Sequence, residues 1–455
     1  MKMSVVKSIN PYTGAVVNSY KTHTQQEVID SITKANTRFN TWQNTSFDER
    51  KNIIVAVAKT LKENAATYAE TITREMGKPI TQAIAEVEKC AWVCEYYAEN
   101  AALQLADKTI KTDAYKSYIS YEPLGVLLAV MPWNYPFWQV FRFAIPALMA
   151  GNVVVLKHAS NVFGSALLIE RVFQQAGLPK DCFSTLLIES EAVKTVIAHP
   201  YIKAVTLTGS GGAGAAVASI AGKEIKKTVL ELGGSNALVV FSDADIDKTV
   251  DICVTARFQN TGQSCIAGKR LLVSTDIADE FIEKLQLKVS ELKSGNPLDK
   301  DTYIGVMARE DLAEELETQL QKSVAMGAKI LLGGKRNKAY FEPTLVTEVS
   351  EHMPIFKEET FGPVLSITTF ESEDEAIRLS NTSEFGLGVS LFSNDINRMQ
   401  SYTPLLNEGA VFINQLVKSD PRLPFGGIKK SGYGRELSSE GIREFVNIKT
   451  VLINQ

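Results

Sequence analysis

At 455 residues the chain exceeds one average domain and is expected to fold as two or three units around a large core. Its 45% hydrophobic and 22% charged residues exclude a disordered or fibrous protein. With 48 basic against 52 acidic residues, the net charge of -4 offers no footprint for nucleic acid or an anionic membrane.

The opening MKMSVVKSINPYTG lacks an apolar signal core, and no apolar run is long enough to span a bilayer, so a cytoplasmic location is expected. Five cysteines without a CxxC pair argue against a disulfide framework or a metal site and fit a reducing compartment.

In chain order, Gln25 to Glu99 is helical, its apolar residues recurring at three- and four-residue spacing as in Ile54, Val57, Ala58 and Leu61. Tyr115 to Glu122 alternates large and polar residues and reads as a strand, with a hairpin to the segment before it as one option. Short apolar runs then alternate with helical patterns: Gly125 to Val130, Val153 to Leu156, Ser184 to Ile188, Ala204 to Leu207 and Ala237 to Phe241. The alternation resumes at Arg270 to Val273, Lys329 to Leu332, Val364 to Thr369, Val389 to Phe392 and Ala410 to Ile413. Strands alternating with helices predict parallel sheets, here in two α/β domains with a join near Leu232.

Three segments carry residues suited to chemistry. Thr208 to Gly214 (TGSGGAG) lies between a predicted strand and a small-residue helix, where free N–H groups and the positive end of the helix dipole attract phosphate. Gly209, Gly211 and Gly214 match the GxGxxG spacing, with Glu231 near the position of a ribose-binding acid; a plain glycine-rich turn is the alternative. In Gln259 to Lys269 (QNTGQSCIAGK), Cys265 sits among small and amide side chains, a setting for a nucleophile, although a structural thiol has the same composition. Cys90, Cys94, Cys182 and Cys253 lie in apolar stretches and read as core. In Leu230 to Ser235 (LELGGS), Glu231 is either a general base in a dry site or a satisfied turn acid.

Joined by Pro132 to Pro136 (PWNYP), Glu358 to Val364 (EETFGPV) and Pro424 to Gly434 (PFGGIKKSGYG), these segments resemble the aldehyde dehydrogenase superfamily over nearly the whole chain. The resemblance implies an α/β fold of that type: a Rossmann-like NAD(P)-binding domain (1–105 and 123–232), a catalytic domain (233–435) and a small β oligomerisation element (106–122 and 436–455). It implies a homodimer or homotetramer, the strand-like tail VNIKTVLIN asking for a partner chain, and a small-molecule aldehyde as substrate.

By the same resemblance Cys265 attacks the aldehyde, Asn134 and the Cys265 N–H hold the oxyanion, and Glu231 activates the hydrolytic water. This moves Glu231 from the ribose to catalysis. Gly209 and Ser210 are expected at the pyrophosphate, Lys157 at the adenosine ribose, Glu359 and Phe361 at the nicotinamide ribose, and Trp133 and Leu232 along the cofactor path. In Lys157 to Ser160 (KHAS), Ser160 replaces the glutamate of many NAD-preferring relatives, which favours NADP over NAD; His158 reads as neutral packing.

The segments KHASNV, NTGQSCIAGKR and SDPRLPFGGIKKSGYGREL are similar to the short succinate-semialdehyde dehydrogenases. Arg142, eight residues after Asn134 and so about two helical turns on, is expected to clamp a distal carboxylate, with Ser419 and Arg422 as further contacts. Longer members carry an arginine where Gln259 stands. Another aldehyde, or a silent relative acting as a binding protein, are the competing readings. An acylating enzyme, which passes its thioester to coenzyme A, has no need of Glu231.

Overall fold

The computed structural model describes residues 4–454; Met1 to Met3 and Gln455, at the outer limits of the expected first domain and terminal element, lie outside them. The expected helical stretch is four helices, Gln25–Trp42, Phe47–Glu63, Ala65–Met76 and Ile80–Gln104. Thr24 with Glu27 and Ser46 with Glu49 form reciprocal capping boxes that start the first two. Gly77, at φ 78°, ends the third in the left-handed conformation that glycine adopts without strain.

The first sheet has six strands in the order Gly432–Tyr433, Lys227–Glu231, Ile202–Thr208, Val126–Met131, Val153–His158, Phe183–Thr185. Five of these run parallel. The chain builds outward from Val126–Met131 on one side, then returns to Ile202–Thr208 on the other. Such a reversal opens a crevice at the strands' carboxyl ends. Val126, Leu127, Leu128 and Ala129 are fully buried, as a parallel strand covered on both faces requires, each large aliphatic contributing about 1.5–3 kcal/mol. The helix Trp138–Met149 is buried along its whole length and joins the sheet through Phe137, Phe141 and Phe173, which stack in turn, and Phe183, whose ring tilts against Phe173.

The second sheet has seven strands in the order Lys329–Leu332, Thr344–Thr347, Val364–Phe370, Gly268–Ser274, Asn236–Val240, Val389–Phe392, Val411–Ile413. A third sheet pairs Val446–Ile453 with Lys116–Pro123 from Val446–Pro123 to Ile453–Lys116, and Lys108–Thr109 lies on the far side.

Several expectations need correction. Sheets are not wholly parallel: Lys329–Leu332 runs against Thr344–Thr347, and Gly432–Tyr433 runs against Leu230 and Glu231. The second pairing returns part of segment 233–435 to the first sheet. The strand expected at Ser184 to Ile188 is Phe183–Thr185, because the Ile188 N–H turns back to the Leu186 carbonyl (3.0 Å) and ends the ladder. The hairpin of Val5–Ile9 with Val16–Lys21, whose second strand is largely exposed, carries little hydrophobic alternation and was not foreseen.

Candidate active site

The segments singled out in the sequence converge on two edges. Trp133 and Asn134, Lys157 and Ser160, Gly209 and Ser210, and Glu231 with Leu232 all stand at the carboxyl ends of neighbouring parallel strands of the first sheet. Cys265 and Glu359 to Phe361 stand just before Gly268–Ser274 and Val364–Phe370, at the amino edge of the second sheet. The link Leu232 to Ser235 crosses between them, so close that a Cβ on Gly234 would lie 2.6 Å from the Cys265 carbonyl oxygen.

Two cavities open here. The larger, about 410 Å³, is lined by Trp133, Asn134, Gly209, Ser210, Leu232, Glu359 and Phe361, all expected there. The smaller, about 180 Å³, is lined among others by Lys89, Trp138, Arg142, Ser419 and Phe425. Cys265 and Gln139 belong to both walls.

Cys265 is held from below. The Lys269 ammonium donates to the carbonyls of Ser264 and Cys265 (both 2.9 Å) and to Glu359 Oε1 (3.0 Å). The turn before it places Asn260 and Thr261 in left-handed backbone, at φ 56° and 53°, a strain that persists where the surroundings fix it. There the Asn260 amide donates to the carbonyls of Asn134 (2.9 Å) and Gln263 (3.0 Å). Burial raises the Cys265 thiol to about 11, against the lowering pull of Arg142 and Lys269.

Asn134 Oδ1 accepts from Gln139 Nε2 (2.9 Å), while its Nδ2 donates to the Gln263 carbonyl (3.2 Å), which leaves one N–H of this cavity-lining amide over. Glu231 is fully enclosed, and among the described residues neither carboxylate oxygen has a hydrogen-bond partner. Burial first, and Glu436 second, push its carboxyl well above the usual range, with Arg142 and Arg435 opposing. It borders neither cavity and packs against Gly426, where a Cβ would lie 2.8 Å from Oε1.

The larger cavity suits a dinucleotide. The helix Gly211–Lys223 opens toward it, capped by Ser210, with open space in front of Gly211 and Gly212. Glu359 is fixed by Lys269 and by the Gly234 N–H (3.0 Å), and the Trp133 and Phe361 rings meet edge to face at 5.7 Å. Lys157 and Ser160 lie outside that lining; Lys157 is buried and forms no ion pair among the described residues. His158 donates from Nε2 to the Pro136 carbonyl and accepts the Ala159 N–H on Nδ1 (both 2.9 Å), and burial lowers it to about 4: neutral packing.

The expected substrate contacts divide. Arg142 reaches the smaller cavity, but not by helical register from Asn134, because the helix begins only at Trp138. Its charge is also taken: Nε pairs with the buried Glu436, Nη2 donates to Thr208 (3.2 Å) and the guanidinium stacks over Phe425. Ser419 is on the wall. Arg422 is not; its exposed guanidinium grips Asp420 (2.9 and 2.7 Å) and covers Trp92.

Sequence reasoning missed Lys89, Gln139, Lys269 and Glu436. Lys269 and Glu436 lay inside motifs already quoted. For Lys89 a signal existed: it follows Glu86 by three positions beside the buried stripe Ala83, Val87, Cys90 and Val93 of its helix.

Residues 2–451 match the family model described as the aldehyde dehydrogenase family. A Synechocystis protein named probable succinate-semialdehyde dehydrogenase [NADP(+)] is 48% identical over 451 residues, 98% of this chain and 99% of its own. Succinate-semialdehyde dehydrogenase [NADP(+)] 1 of Mycobacterium tuberculosis is 46% identical over 454 residues, again 98% and 99%. Among solved structures, succinic semialdehyde dehydrogenase of Streptococcus pyogenes, in complex with NADP+, superposes with a TM-score of 0.97 at 36% identity, covering 99% of this chain and all of its own. No described helix is long and apolar enough to cross a membrane. Two sheets meeting edge to edge over a cysteine, and a match running almost from end to end, make this chain a member of the aldehyde dehydrogenase family.

Proposed function

We propose that this aldehyde dehydrogenase oxidises succinate semialdehyde to succinate with NADP as its preferred acceptor. The observation that carries the reading is the position of Cys265 on the shared wall of a dinucleotide-sized cavity and a small cavity containing cations. The NADP-named relatives and the absence of an acid at Ser160 support the cofactor choice.

In this reading the Cys265 thiolate adds to the aldehyde carbon, and the carbonyl oxygen becomes an oxyanion held by the free N–H of Asn134 and the Cys265 backbone N–H. The dinucleotide, when bound, supplies the hydride acceptor that turns the thiohemiacetal into a thioester. Gly209 and Ser210 receive its pyrophosphate, Lys157 and Ser160 the adenosine ribose and its phosphate, and Glu359 the nicotinamide ribose. Trp133, Leu232 and Phe361 pack its path. Glu231 then takes a proton from water, which adds to the thioester as the thiolate leaves and yields the free carboxylate. Because Glu231 borders neither cavity, this step requires its side chain to turn from Gly426 toward Cys265. The domain division of the sequence reading stands as part of this proposal, with Gly432–Tyr433 returned to the first sheet, and the third sheet serves assembly.

The test is reduced-cofactor absorbance with succinate semialdehyde and with butanal, each with NAD and NADP, in wild type and Cys265→Ala. Faster turnover of the acid-bearing aldehyde, better with NADP and abolished in Cys265→Ala, is expected. Equal or faster butanal turnover overturns the substrate reading, and a preference for NAD overturns the cofactor reading.

A further inference from the structure

Lys269 is fully enclosed near the start of the strand Gly268–Ser274. Its ammonium donates to acceptors on three segments that lie far apart in sequence. These are the Gly234 carbonyl of the link between the sheets, the Ser264 and Cys265 carbonyls (both 2.9 Å), and Glu359 Oε1 (3.0 Å) on the cofactor side. Glu359 Oε1 also accepts the Gly234 N–H (3.0 Å), which closes the junction. Holding the link does not by itself call for Lys269. Arg270, next in the chain, already grips the Ser235 carbonyl (2.8 Å) and sends its other donors to Leu379 and Ser380. The three carbonyls bound by Lys269 need only N–H donors, which a neutral side chain supplies without the cost of enclosing a charge.

We infer that Lys269 is a positioning residue for the nucleophile: it clamps the Cys265 turn to Glu359 and places a positive charge at the Cys265 backbone that favours the thiolate. This rests on Cys265 being the nucleophile, as proposed above. Burial lowers the Lys269 ammonium, Glu359 raises it again, and Arg257 opposes, so Glu359 has a second task in keeping the lysine charged. At the thiol, burial is the largest effect and raises it; Arg142, from the helix Trp138–Met149, and then Lys269 pull it down, while Glu359 and Glu231 push it up less strongly. Arg142 is already committed to Glu436. Tyr135, also beside the cysteine, keeps its proton because burial raises it, and adds no charge of its own. Lys269 therefore attracts the thiolate even while paired, because its pull on Cys265 exceeds the push of Glu359.

The experiment is alkylation of the full-length enzyme by iodoacetamide at pH 8, without cofactor or aldehyde. Below the thiol's own value the rate follows the thiolate fraction, and Cys265→Ala supplies the blank for the four buried cysteines. Lys269→Gln and Lys269→Met are expected to react about tenfold more slowly than wild type, which corresponds to a rise of about one unit in the thiol, and Lys269→Arg to stay within about threefold. In steady state, kcat/KM falls alike for succinate semialdehyde and butanal in Lys269→Gln and Lys269→Met, and their ratio is unchanged. Lys269→Gln keeps two N–H donors for the carbonyls, so it carries the comparison should Lys269→Met fail to fold. Wild-type alkylation in Lys269→Gln overturns the inference and leaves the lysine a structural tie. Equal slowing in all three variants, Lys269→Arg included, also overturns it, because it marks a disturbed turn rather than a lost charge. A Cys265→Ala enzyme that still turns over overturns the nucleophile reading itself, an outcome that activity alone distinguishes.

Discussion

Cys265 and Glu231 share a condition: burial raises both, the thiol to about 11, so each holds its proton to higher pH than the free group would and must lose it to act. The deprotonated fraction of each rises with pH. Turnover is therefore expected to climb from pH 6 to pH 9 at saturating substrate, and a flat profile would contradict the raised values. Glu231→Gln removes the proposed base without altering the nucleophile. It should release about one equivalent of reduced cofactor per active site in a rapid burst and then fall at least a hundredfold in steady-state rate, within the range of general-base contributions. Stopped-flow absorbance separates the two phases; loss of the burst itself would place Glu231 in acylation instead.

At the scale of elements, the helix Trp138–Met149 carries the clearest consequence. Its amino end is held by Glu86, whose carboxylate accepts the N–H groups of Phe137 (2.9 Å) and Trp138 (3.1 Å), and Glu86 also pairs with Lys78. That anchoring fixes where Arg142 points, and it points between the cavity and Glu436. Removing Arg142 leaves Glu436 enclosed without its partner, and breaking such a buried pair costs about 3–5 kcal/mol. Arg142→Ala is thus expected to unfold at clearly lower urea and to lose activity alike on succinate semialdehyde and butanal. A loss confined to the acid-bearing aldehyde would return Arg142 to the role that helical spacing first gave it.

At the scale of the whole molecule, the third sheet ends on an exposed edge. Val446–Ile453 is the outer strand of the third sheet, with Ile448 and Leu452 59% and 55% exposed, and unpaired backbone along a strand edge invites another chain. Replacing both with lysine, the residue that blunts natural edges, should lower the mass seen by sedimentation velocity to that of one chain. An unchanged mass would move the proposed oligomer contact elsewhere.

Much of this architecture was legible in the linear sequence, for a physical reason. Strand periodicity, helix caps and a glycine-rich turn are local, so the parallel strands and the helix Gly211–Lys223 could be read from neighbouring residues. The motif residues Trp133, Asn134, Gly209, Ser210, Leu232, Cys265, Glu359 and Phe361 line one cavity because each follows or precedes a strand at the facing edges. Charge state was not legible. Whether Arg142 is free depends on Glu436, whether Arg422 reaches the site depends on Asp420 and Trp92, and Lys89 meets Ser419 across 330 positions. Pairings of buried charges are decided only when the sheets pack, since distance and desolvation, not spacing along the chain, determine which cation keeps its charge for a ligand.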